Sequence, residues 1–73
     1  MPLPGSPVRL IVNGEPCEIA VGSTLTALLA GLDLDVRRVA VAVNGAVVPR
    51  TEWIGLRLTE GDRVEIITAV GGG

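Results

Sequence analysis

Apolar residues alternate with polar or small ones in several short stretches of this chain and recur at helical spacing in one. Val8 to Val12 is apolar and rich in β-branched residues, Asn13-Gly14 follows, and Cys17-Glu18-Ile19-Ala20-Val21 then alternates. Two such runs around Asn-Gly predict a hairpin, because a type I′ turn needs positive φ at both central residues. Pro16 has no N–H for a ladder, so the second strand starts there or lies at a sheet edge. Leu25, Leu28, Leu29 and Leu32 repeat at the i, i+3, i+4, i+7 spacing of one face of a short helix. Ser23 or Thr24 is suited to cap its first amides, and Gly31 is placed to take the left-handed conformation that ends it.

Val39 to Val43 resumes the two-residue period, Asn44-Gly45 offers a second turn, and Ala46-Val47-Val48 returns until Pro49 stops it. Thr51 to Leu58 has no clear period; Trp53 and Leu58 are expected to plug the open end of the core, with the indole N–H on a carbonyl. Glu60-Gly61-Asp62 marks a turn before a last strand, Arg63 to Thr68, with Val64 and Ile66 on one face and Arg63, Glu65 and Ile67 on the other. Hairpin, helix, hairpin, irregular segment and strand predict an α+β domain over residues 8–68. One helix packs across a mixed sheet of four or five strands, and a right-handed crossover makes the first and last strands parallel. Residues 1–7 read as a flexible leader and residues 69–73 as a flexible glycine tail.

Composition narrows the chemistry. At 73 residues folding buries only about 60% of the unfolded surface, which leaves room for one thin core and no cofactor cavity. That core is aliphatic, since Trp53 is the only aromatic residue. Six basic residues, all arginine, face eight acidic ones, and a net charge of −2 without stacking aromatics gives nucleic acid nothing to bind. No apolar run approaches the roughly 20 residues that span a bilayer, and the opening residues lack the regions of a signal peptide, so a soluble cytoplasmic protein is expected. A single cysteine and no histidine exclude an internal disulfide and leave no ligand set for a metal. Cys17, in phase with Ile19 and Val21, reads as a small buried hydrophobe.

The last strand leads to Ala69-Val70 and then Gly71-Gly72-Gly73. Without Cβ atoms the glycines can pass through a narrow channel, and residues 69–73 extended reach about 17 Å. Val41-Ala42-Val43-Asn44-Gly45, Val48-Pro49-Arg50, Trp53, Leu58, Gly61-Asp62-Arg63-Val64-Glu65-Ile66 and Ala69-Val70-Gly71-Gly72-Gly73 stand in one register. Together they resemble the ubiquitin-like β-grasp sulfur carriers of bacterial thiamine biosynthesis, the ThiS family, over residues 8–73. The resemblance implies a carrier rather than an enzyme. A ThiF-type adenylyltransferase would use ATP to activate the Gly73 carboxylate, a cysteine desulfurase would supply persulfide sulfur, and the thiocarboxylate would feed a ThiG-type thiazole synthase. Gly71 and Gly72 would thread into both partners' sites. Ile67, with Ile11 beside it if the first and last strands pair, and Arg50 are the candidates for a partner surface. Three alternatives stay open. They are a sulfur carrier like the small subunit of molybdopterin synthase, a ubiquitin-like protein modifier, and a β-grasp ligand-binding module. A modifier of this sequence could not build lysine-linked chains on itself, because it has no lysine.

Overall fold

The computed structural model describes residues 7–68; the tail expectation, and the leader expectation apart from Pro7, lie outside them. Five strands form one mixed sheet: β1 (Val8–Val12), β2 (Glu15–Ile19), β3 (Val39–Val43), β4 (Ala46–Val47) and β5 (Arg63–Thr68), in the order β2-β1-β5-β3-β4. The helix α1 (Leu25–Gly31) follows the first hairpin, and short 3-10 helices occupy Val36–Arg38 and Arg50–Gly55. β5 lies at the centre, parallel to β1 and antiparallel to β3, as the crossover predicts.

Both asparagine turns have the backbone their sequence demands. Asn13 and Gly14 take φ of 50° and 83°, and Asn44 and Gly45 take 51° and 85°. Pro16 sits within β2 and pairs with Ile11, whose own N–H is used on the other side by Asp62 O at 3.0 Å. The missing donor of the proline therefore falls where no ladder bond is needed, on an edge strand.

One face of the sheet is covered and the other open. Val8 and Leu10 of β1, Val41 of β3, and Val64 and Ile66 of β5 are buried together with Leu25, Leu28 and Leu29 of α1 and with Trp53 and Leu58. Each buried leucine contributes roughly 1.5–3 kcal/mol. Thr24 caps the helix, its Oγ1 accepting from Ala27 N at 3.2 Å. The helix start is also tied to the irregular segment, because Leu25 N donates to Leu56 O and Leu58 N to Ser23 O. Trp53 is buried, and its indole N–H donates to Val48 O at 2.9 Å, which closes the end of the core as expected.

Four expectations are corrected. Gly31 is helical; the left-handed residue is Asp33, with φ of 57°, and Leu32 is the C-cap. That turn sends the chain back to the core through Leu34 and Val36, so Leu32 stays 40% exposed. Val21 is likewise out of the core at 59% exposure, because β2 ends at Ile19 and Gly22, with φ of 83°, breaks the alternation. Cys17 is half-buried, packed with Ile19 against the rim of the core.

The side chain of Asn13 does work that its turn conformation alone does not require: its Oδ1 accepts from Ile66 N at 2.8 Å. Asn13→Gly keeps the positive φ but removes that acceptor, so it is expected to lower unfolding free energy by about 1–2 kcal/mol. Urea titration checks this; an unchanged midpoint would mean that solvent satisfies the Ile66 N–H equally well.

Candidate functional site

β5 carries the chain directly into residues 69–73, so the site begins with what holds this strand. At its start Asn44 Oδ1 accepts from Arg63 N at 3.0 Å, while Asn44 Nδ2 donates to Asp62 Oδ1 at 3.0 Å. Asp62 Oδ2 in turn accepts from Thr59 N at 2.8 Å. Burial pushes the Asp62 carboxyl up, but the Thr59 and Asn44 hydrogen bonds outweigh it and hold the group below the usual carboxylate range. On the other flank Asn13 N donates to Val64 O, and Asn13 Oδ1 takes the Ile66 N–H. The two asparagines that form the turns thus also clamp β5 from both sides. Asn-Gly was legible as a turn; the second role of each asparagine had no signal in the local pattern.

The open face presents the partner-surface candidates. Ile67 is 63% exposed and pairs with Ala40 of β3. Ile11 shares this face but sits beside Arg63 in the register, four residues down β5 from Ile67, about 13 Å away along the strand. The two isoleucines therefore do not form one patch. The apolar neighbours of Ile67 lie on the opposite flank: Ala40, then Ala42 opposite Val47, which is 78% exposed. Alternation in Val39 to Val43 had already put both alanines on one face; only the strand order brings Val47 to them. Arg50 is exposed at the start of the second 3-10 helix, with no ion pair or side-chain hydrogen bond among the described residues. Gly71, Gly72 and Gly73 lie outside the described residues.

Among the described residues no group of three or more His, Cys, Asp or Glu side chains is placed to hold a metal ion. No helix there is long and apolar enough to cross a membrane.

The model of the ThiS family matches residues 10–73. A thiazole synthase of Paramagnetospirillum magneticum is 36% identical over 66 residues, which cover 90% of this chain and 20% of that protein. The chain thus spans about a fifth of the length of such relatives. The sulfur carrier protein ThiS of Escherichia coli is 29% identical over 66 residues, 90% of this chain and all of its own. The crystal structure of the thiamine biosynthesis protein ThiS from Geobacter metallireducens superposes with a TM-score of 0.78 at 33% identity, covering 90% of this chain and all of that one.

The Asp62 cluster has a pH signature. Its folded pKa is depressed, so its stabilisation is complete above the unfolded value, about 3.9, and is lost as pH falls through the lower folded value. Melting curves from neutral to strongly acidic pH should show wild type above Asp62→Asn near neutrality, and the gap should close in acid. A gap independent of pH would mean that the charge of Asp62 is not what stabilises the cluster.

Proposed function

The chain belongs to the ThiS family of sulfur carriers, which share its ubiquitin-like β-grasp fold, and on that premise we propose that Gly73 carries sulfur as a thiocarboxylate for the thiazole ring of thiamine. The observation that carries this reading is the run Gly71-Gly72-Gly73, two residues beyond a central, doubly clamped strand. A carboxylate is a resonance-stabilised anion at neutral pH and a poor electrophile. Its oxygen attacks the α-phosphorus of ATP on an adenylating enzyme, and pyrophosphate leaves. Persulfide sulfur from a cysteine desulfurase then displaces AMP; a second thiol attacks the cysteine-side sulfur of the resulting acyl disulfide, forms a new disulfide with that cysteine, and releases the thiocarboxylate. No side chain of this chain needs to act as acid, base or nucleophile, so the protein is a co-substrate rather than an enzyme.

Thiazole synthase is the acceptor that the comparisons favour, since proteins of that name contain a region similar to this chain. The apolar strip of Ile67, Ala40, Ala42 and Val47 is the surface on which the partners would seat the domain, because it flanks the strand that leads to the tail.

The direct test is intact mass after incubation with ATP, the adenylating enzyme and a sulfur donor: one oxygen-for-sulfur exchange is expected at Gly73. No exchange, with an enzyme proved active on another carrier, would defeat the reading. Gly72→Val is expected to melt like wild type yet abolish most pyrophosphate exchange, because a β-branched residue beside the reacting carboxylate displaces it, and about 1 Å of misplacement costs roughly a hundredfold. Ile67→Thr keeps the β-branch but gives up apolar area, so its KM with the adenylating enzyme should rise about fivefold with kcat little changed.

A further inference from the structure

Among the described residues, β5 is flanked on both sides at its start and on one side only at its end. Its pairing with β3 runs from Val43↔Val64 to Val39↔Thr68, whereas its pairing with β1 covers only Ile11↔Arg63 and Val12↔Val64 before β1 turns away at Asn13. Backbone groups alternate in direction along a strand. Asn44 N donates to Arg63 O, so residues 63, 65 and 67 address β3. Asn13 N donates to Val64 O and Asn13 Oδ1 accepts from Ile66 N, so residues 64, 66 and 68 address β1. Past Asn13, the Ile66 carbonyl and the Thr68 N–H therefore point to a side where the described residues supply no strand.

We propose that the side of β5 beyond Asn13 is a strand-addition site, in which an extended segment of the adenylating enzyme pairs parallel to Ile66–Thr68 and fixes the register of the tail. The pattern of groups that face no strand among the described residues selects the orientation. In a parallel ladder one residue gives its N–H to the carbonyl of residue i−1 and accepts from the N–H of residue i+1. The Ile66 carbonyl and Thr68 N–H are such a pair, in line with the bonds Asn13 makes one step earlier. An antiparallel partner opposite Ile66 would need the Ile66 N–H, which Asn13 already holds. A groove lined by Ile11, Asn13, Gly14, Arg63, Val64 and Glu65 leads up to this edge where the first turn leaves β5, and Thr68 itself is exposed. Only residues 69–73 separate Thr68 from the carboxylate that must be positioned, so whatever receives Gly73 passes this edge. Backbone pairing of this kind also tolerates partners of different sequence, since the main chain supplies the bonds.

The inference rests on the carrier reading, and two measurements separate them. Amide hydrogen exchange on the full chain, free and saturated with the adenylating enzyme without ATP, should slow at Thr68 at least about tenfold. Unaltered exchange at Thr68 in a saturated complex overturns the proposal, and protection that grows with the concentration of the chain alone overturns it in favour of a second copy. Thr68→Pro removes the donor on the side away from β3. Its pyrophosphate exchange should fall about three- to tenfold, the worth of one hydrogen bond, with melting close to wild type. Should that variant melt early, replacing the Thr68 amide by an ester in a synthetic chain removes the same donor without the ring. Wild-type rates in either variant overturn the added strand while leaving the carrier reading intact, whereas a wild-type chain that is never activated overturns both.

Discussion

The insertion of β5 between β1 and β3 is the constraint on which the rest depends. It joins the two hairpins into one sheet, and it brings Val64 and Ile66 under the leucines of α1. The bonds that secure it are distant in sequence, with Asn13 and Ile66 standing 53 positions apart. Closing so long a loop costs only slowly more with length, but the cost falls before the pairing is rewarded. A hydrogen-bonding side chain at the tip of each hairpin lengthens the ladder available to the last strand. It also lets a chain of this size keep two tight turns and still carry the bonds on the β1 side of the central strand as far as the Ile66 N–H.

Much of the fold was legible because it follows from local rules. The positive φ that Asn13, Gly14, Asn44 and Gly45 accept is a property of those residues, and period-two alternation in β3 and β5 assigned their faces. The failures fall where tertiary geometry decides. Leu32 continues the helical period, yet the left-handed turn at Asp33 redirects the chain and Leu34 takes its place against the core. Val21 continues the strand period, yet the turn at Gly22 intervenes. Periodicity says which face a residue would occupy if the element continued, and not whether it does.

The candidate site was legible in outline only. A glycine run after a strand is visible in one dimension, and the exposure of Ile67 followed from its phase opposite Val64 and Ile66. What stands beside Ile67 depends on strand order and register, which single-sequence patterns do not contain. Hence Ile11, which shares its face, turned out to neighbour Arg63 instead, and Val47, from a two-residue strand, became part of the apolar strip.

The central position of β5 has a mechanical meaning as well. A partner that draws on residues 69–73 pulls along the axis of β5, while the ladder bonds to β3 and β1 run across it. Such a load is shear, shared by many bonds at once. An edge strand pulled sideways would instead open one bond at a time, like a zipper. The domain can thus be held by its end, under tension, without being unravelled from that end.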